Sequence, residues 1–367
     1  MTLSVFLISC ARKESTRETL SFPARMDSVV ALVPDFSGVV LVADKGTPIY
    51  HKAFGFANAG QKIKNDTATI FELASVSKQF TAMLIVLLKE NGKLNYDDLV
   101  ERYLPDLPYK GITLRHLLNH TSGLPDYQQL MDEKWDKTKV AGNTAILQYL
   151  TKFHPPIHFK PGEKYEYSNT GYVLLGSVVE KVSGKDFVSF IHERIFEPLQ
   201  MKSTDLRTRA QKDSMVNFAL GYQFVAEKKR FVRADSFPSS NYTIWLGARK
   251  GPGRISSTTS DLLKWDIALY TEKIISDPAK KELFAPARLN DGTMSTYGFG
   301  WVIRKDSTLG NVVLHTGDNP GYKTEIIRYL DQHKTVIVLC NNANEKFDFL
   351  INKIEGVLKE GRLKTTF

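Results

Sequence analysis

Three short motifs in this 367-residue chain carry side chains that could do covalent chemistry together. The first is Ser75-Val-Ser-Lys78. It opens a run in which Phe80, Met83, Leu84, Leu87 and Leu88 recur at helical spacing. Ile85 and Val86 make that helix apolar almost all round, so it must be buried on several sides, and Gly92 fits the position just past its end. A serine at such a helix start, with a lysine one turn on and on the same face, has three assets. The N-terminal N–H groups favour developing negative charge. The serine amide can donate to an oxyanion. The lysine amine, its pKa depressed by desolvation, can take the serine proton. The spacing alone is weak, because a capping Ser followed by a surface Lys looks the same. Lys78 nevertheless interrupts an otherwise apolar helix, and no other Ser-x-x-Lys occurs in the chain.

The second motif, Tyr167-Ser168-Asn169, follows Lys160-Pro-Gly-Glu163 and precedes the apolar helical stretch Tyr172–Val182. A phenol near an ammonium can shuttle protons, and an Asn carboxamide can bind a substrate carbonyl or fix a lysine. Alone, it reads first as a packed surface Tyr with an Asn helix cap. The third motif, His315-Thr316-Gly317, ends the strand pattern Val312-Val-Leu-His315. Glycine at a strand edge lets a substrate backbone approach closely. An edge strand can pair with an extended substrate, and the next amide, of Asp318, can complete an oxyanion hole. Alone, it is a strand end with a turn at Gly317.

The elements that must position these motifs are legible in outline. Phe36 to Phe56 reads as a hairpin turning at Asp44-Lys-Gly46. From Ser75 to about Lys281 the chain is mostly helical, with one hairpin pairing Ala219–Val225 with Arg230–Ala234 across Lys228-Lys229. Strand patterns return at Gly298–Arg304, Asn311–Thr316, Lys323–Tyr329 and Thr335–Asn341, and an amphipathic helix closes from about Glu345 to Leu358. Strands at both ends with helices between imply an α/β chain of the α+β kind, with one antiparallel sheet built from both chain ends. Terminal helices cover the sheet, and residues 75–281 form an inserted helical lobe. Residues 26–362 are expected to be a single domain, with the active site where lobe and sheet meet.

Composition excludes other classes. With 42% hydrophobic and 24% charged residues, 21 Phe, 15 Tyr and 4 Trp, the chain can fill a large core and is not disordered. Two cysteines exclude a disulfide scaffold. Cys340, within the strand pattern Thr335-Val-Ile-Val-Leu-Cys340, reads as core, and no disulfide is expected. The net charge of +9 is spread along the chain, with no nucleic-acid-binding module.

Leu7-Ile8-Ser9-Cys10, with the polar linker Arg12 to Glu18 after it, resembles a bacterial lipoprotein signal. Residues 1–25 are therefore expected to be a signal remnant and linker lipidated at Cys10. No Lys or Arg precedes Cys10, which a signal peptide would normally carry.

In this order the three motifs resemble the serine β-lactamase and penicillin-recognising hydrolase superfamily. The Tyr-x-Asn in the middle is similar to the class C branch, which includes D-alanyl-D-alanine carboxypeptidases, D-aminopeptidases and esterases. Ile112–Pro125, Pro161–Gly176, and Gly253–Ser257 leading to Asp261-Leu-Leu-Lys-Trp265 match the same branch, and the likeness runs from about Phe36 to Leu358. The resemblance implies a β-lactamase/transpeptidase-like fold and a cofactor-free serine hydrolase acting through an acyl-enzyme. Ser75 would be the nucleophile, Lys78 its activator and Tyr167 the general base. Asn169 would orient Lys78 and the substrate, His315, Thr316 and Gly317 would bind substrate, and the amides of Ser75 and Asp318 would bind the oxyanion. His315 departs from the commoner Lys, so a fixed charge becomes one titrating near pH 6.5, and carboxylate recognition is expected to depend on pH. The expected partner is a small-molecule, peptide or cell-wall-derived substrate at the bacterial cell envelope, with a membrane surface engaged through Cys10. Alternatives are a penicillin-binding protein that stays acylated and an inert envelope interaction module. His116 and His120, four apart, suggest a metal pair; without an intervening Glu or third ligand, no metal site is expected.

Overall fold

The two ends of the chain meet in one sheet. The computed structural model describes residues 20–363, and Cys10 lies outside them. The main sheet is antiparallel and six-stranded. Its strands are β1 (Gly38–Asp44), β2 (Thr47–Phe54), β3 (Val302–Asp306), β4 (Gly310–Asn319), β5 (Tyr322–Tyr329) and β6 (Lys334–Cys340). The spatial order is β3-β4-β5-β6-β1-β2. The first and last strands pair at the centre, Gly38 opposite Cys340 and Val42 opposite Val336. Their Val/Ile/Leu runs are buried on both faces, which is why they read as continuous rather than alternating apolar stretches. Alternate residues then divide into two cores. Val40, Val42, Val336 and Val338 pack with helices α1 (Phe22–Ala31) and α5 (Phe347–Leu363). Val39, Leu41, Ile337 and Leu339 face the helical lobe. Cys340 is buried and makes no disulfide among the described residues.

Within the lobe, α2 (Lys78–Glu90) packs on α3 (Asn169–Ser183), and α4 (Thr259–Ala268) packs on β6. The lobe hairpin forms as expected, Tyr222–Val225 with Arg230–Arg233. Two boundaries differ informatively. β3 begins at Val302 rather than Gly298, because the preceding residues fold across the start of α2. Gly300 has φ +79°, and a Cβ there would lie 2.9 Å from the Lys78 carbonyl oxygen. β4 does not end at His315 but runs on to Asn319, paired with β5 along that length. Its outer neighbour β3 covers only Gly310–Leu314. From His315 onward, β4 has no strand partner on that side among the described residues.

Among the described residues no helix is long and apolar enough to cross a membrane. The helical His116–His120 pair does not form. The helix there ends at Leu118, His116 closes its capping box, and His120 lies beyond it in a left-handed conformation (φ +58°).

Candidate active site

Ser75 sits in a tight turn, Ala74–Ser77, immediately before α2, so Lys78 is the first residue of the α-helix proper. The turn is pinned from both sides. The Leu73 carbonyl accepts from Thr324 Oγ1 (2.8 Å), and Ser77 Oγ accepts from the Ile255 amide (3.1 Å). Ala74 is held at φ +49°, a conformation that L-residues rarely adopt. Gly317 explains how the turn docks on β4: a Cβ there would lie 2.3 Å from the Leu73 carbonyl oxygen and 3.2 Å from Ala74 Cβ. The glycine expected to admit a substrate backbone therefore admits the turn that carries Ser75.

Lys78 is fully buried. Its Nζ donates to Ser75 Oγ (3.0 Å), Asn169 Oδ1 (2.8 Å) and the Pro252 carbonyl (2.8 Å). Those three acceptors match the three donors of an ammonium. On deprotonation, the Ser75 hydroxyl can donate to the amine while the other two bonds remain. Burial first, and the positive charge of Arg249 second, hold the Lys78 pKa well below the usual lysine value. The Tyr167 and Tyr172 rings lie 4.8 and 5.5 Å from Nζ.

Asn169 opens α3, and Ser168 caps it by accepting from the Gly171 amide (3.3 Å). The Ser168 amide in turn donates to His120 Nδ1 (3.0 Å). His120 was not anticipated as part of the site. Fully buried, its ring packs at a tilt against those of Tyr167 and Tyr297, with centroids 4.2 and 4.6 Å away. Burial, then the nearby Lys78 and His315, hold its pKa well below the usual imidazole range. It thus braces the Tyr167–Asn169 loop as a neutral ring. Tyr167 leaves 40% of its surface open to the cleft. The protein packed around it nonetheless raises the phenol pKa through desolvation, which the neighbouring Ser75 hydroxyl opposes.

His315 corrects the expectation placed on it. It is 2% exposed. Its Nδ1 meets the Thr316 carbonyl at 2.6 Å, and its Nε2 meets the Tyr297 hydroxyl at 2.7 Å. A carbonyl only accepts, so Nδ1 carries the proton and Nε2 accepts from Tyr297. Burial, then the charge of Lys78, push its pKa down to about 3. The ring is neutral across the physiological range and has both nitrogens engaged, so it is not a titrating carboxylate receptor. Along β4, His315, Gly317 and Asn319 are buried while Thr316 and Asp318 are exposed. Ser75 and Asp318 line one recess with Gln128, Asn169 and Arg249. The structure therefore gathers Ser75, Lys78, Tyr167, Asn169, His315 and Asp318 about one cleft, while Thr316 is exposed on the same strand.

An antiparallel sheet closed from both chain ends, with a serine–lysine turn facing a tyrosine–asparagine loop, defines a serine hydrolase of the β-lactamase type. A family model described as Beta-lactamase matches residues 26–356, and the chain belongs to that family. It is 43% identical over 311 residues to penicillin-binding protein 4* of Bacillus subtilis (strain 168), covering 84% of this chain and 69% of that one. A penicillin-binding protein from Bacillus halodurans superposes with TM-score 0.77 at 26% identity, over 92% of this chain and 99% of that one. A D-amino acid amidase from Ochrobactrum anthropi superposes with TM-score 0.74 at 26% identity, over 93% and 98%.

Proposed function

We propose that this serine hydrolase cleaves an amide, peptide or ester bond through an acyl-enzyme on Ser75. The observation that carries the proposal is a fully buried Lys78 amine, 3.0 Å from Ser75 Oγ and held otherwise, among the described residues, by the neutral acceptors Asn169 Oδ1 and the Pro252 carbonyl. Depression of the lysine pKa together with elevation of the Tyr167 pKa favours Lys78 as the first proton acceptor, rather than the tyrosine. The Ser75 proton passes to Nζ as Oγ bonds to the substrate carbonyl carbon. The carbonyl oxygen takes up the electron pair, stabilised by the amides of Ser75 and Asp318. As the tetrahedral intermediate collapses, Tyr167 gives its proton to the leaving group and regains one from Lys78. Water then repeats the sequence to release the acid. Asn169 holds Lys78, and His315 supports the cleft wall through Tyr297.

Within this chemistry the reading spans D-alanyl-D-alanine carboxypeptidase, esterase and β-lactamase types. The amidase neighbour supports hydrolysis of D-configured amides. The penicillin-binding relatives support a second reading, acylation by a β-lactam without efficient turnover. The place of action is proposed to be the bacterial cell envelope, with Cys10 as lipid anchor.

The test is to label the protein with an activity-based serine probe, map the adduct by mass spectrometry, and follow turnover of a chromogenic cephalosporin, a D-Ala-D-Ala peptide and short-chain nitrophenyl esters. An adduct on Ser75 that turns over supports hydrolysis. An adduct that persists supports the second reading. Full activity in Ser75→Ala overturns both.

A further inference from the structure

Arg249 is 7% exposed and lines the same recess as Ser75 and Asn169. Among the described residues its side chain makes one hydrogen bond, from Nη1 to the Leu246 carbonyl (3.2 Å), and no ion pair. Its guanidinium also lies 5.7 Å from the Tyr242 ring centroid. Four of the five guanidinium donors are thus without a protein acceptor, in a group that carries a fixed charge. Glu72 feels that charge, but Glu72 is already committed to an ion pair with Lys212 and to Asn319. Lys78 feels it too, as a repulsion. Asp318 lines the same recess but makes no ion pair with Arg249 among the described residues, so the remaining guanidinium donors face the recess and can take an anion from outside.

The recess lies on a definite side of the reaction. On the reading proposed above, the leaving group receives its proton from Tyr167 and departs on that side. Tyr167 does not line the recess, whereas Ser75, Gln128, Tyr242 and Asn319 do. The acyl part of the substrate therefore extends into it. The cavity volume is ≈ 60 Å³. A water-sized group takes on the order of 10–15 Å³, so the space suits a carboxylate on a short tether, not a bulky ring.

We propose that Arg249 is a specificity determinant that binds a carboxylate on the acyl side of the substrate, so that the enzyme prefers acidic acyl donors. This rests on the acyl-enzyme reading, and the experiment separates the two. The kcat/KM values for the p-nitrophenyl esters of N-succinylglycine and N-butyrylglycine are compared after subtraction of spontaneous hydrolysis. Acylation of Ser75 is followed in parallel by mass spectrometry. The two esters share a leaving group and differ in the terminal carboxylate. A charge-assisted, bidentate contact predicts a ratio of roughly ten- to a hundredfold in favour of the succinyl ester. That ratio should fall to within about threefold of unity in Arg249→Gln and be intermediate in Arg249→Lys. Because the ratio cancels any effect of Arg249 on Lys78, it reports recognition alone. A ratio near one in the wild type, or a preference that survives Arg249→Gln, overturns the proposal. If Arg249→Gln does not fold, the wild-type ratio and the Arg249→Lys value decide. Absence of any acyl group on Ser75 with either ester instead overturns the acyl-enzyme reading on which the proposal stands.

Discussion

Lys78 and Arg328 are both fully buried cations, yet they are held in opposite ways. Arg328, on β5, bonds through Nε to Asp266 Oδ1 (2.5 Å) on α4, while Thr335 donates to Asp266 Oδ2 (2.7 Å). The rings of Tyr270, Phe284 and Trp301 surround its guanidinium at 4.5–5.7 Å. Among the described residues Lys78 meets no carboxylate, only a hydroxyl, a carboxamide and a backbone carbonyl. A paired buried charge is locked, because neutralising either partner strands the other. A charge held by neutral dipoles is inexpensive to neutralise, and its pKa moves accordingly. The first arrangement clamps lobe to sheet. The second keeps a proton exchangeable.

The largest effect is expected from Lys78→Met, which removes the amine while keeping the packing volume. Acylation of Ser75 should slow by about 10²- to 10⁴-fold, while the melting temperature should hold or rise, since an unpaired buried amine has been removed. A rate within tenfold of the wild type in stopped-flow measurements would break the comparison.

Asp266→Ala should do the reverse. Leaving Arg328 buried without its partner should cost about 3–5 kcal/mol of unfolding free energy in urea titration. Acylation per folded molecule should stay within a fewfold of wild type. A loss of activity matching that of Lys78→Met would mean that the two cations do not divide the work.

Glu325 adds a third solution, a buried acid kept neutral. Burial foremost, then the negative charges of Glu355 and Asp348, push its carboxyl up to about 8. Between the ordinary value near 4.5 and 8, the folded state holds a proton that the unfolded chain has lost. Stability should therefore fall as pH rises through that window. Glu325→Gln should remove this slope and stabilise the protein at pH 8 by roughly 2–4 kcal/mol. Parallel stability–pH curves for the two proteins would show that Glu325 is ionised throughout.

Much of this was legible beforehand because it lies in short-range pattern. The apolar runs at Gly38–Ala43 and Thr335–Cys340 announced strands, and the order of the motifs holding residues 75, 78, 167 and 169 pointed, through its resemblance to a known family, to side chains that the fold brings together. What was not legible depends on atoms without a residue signature or on distant partners. The third acceptor of Lys78 is the backbone carbonyl of Pro252, 174 positions away. His120 enters the site through its ring and the Ser168 amide, which the family-like stretch Ile112–Pro125 does not by itself disclose. The role proposed for Arg249 rests on its having no ion pair among the described residues, which only packing reveals. Gly317 serves the turn bearing Ser75 because Leu73 lies against it.

His315 is where sequence and structure part most clearly, and it gives the smallest expected effect on catalysis. Its position in the motif suggested a charge that switches near pH 6.5, but its environment removes that charge. With Nδ1 on the Thr316 carbonyl and Nε2 on Tyr297, protonation would set two donors, Nε2–H and the Tyr297 hydroxyl, against each other unless Tyr297 turned away. The wild-type ratio of kcat/KM for a carboxylate-bearing substrate to that for its neutral counterpart should accordingly be flat from about pH 5.5 to 8. An inflection near pH 6.5 that disappears in His315→Gln would restore the switch. The imidazole should be visible in stability instead. The unfolded chain protonates near pH 6.5 while the folded ring resists until about 3, so the native state binds fewer protons and loses stability as pH falls through that interval. The difference between wild type and His315→Gln should amount to about 2 kcal/mol between pH 7.5 and pH 5, read from urea titrations at each pH. Coincident pH dependence in the two proteins would mean that His315 is protonated in the fold after all.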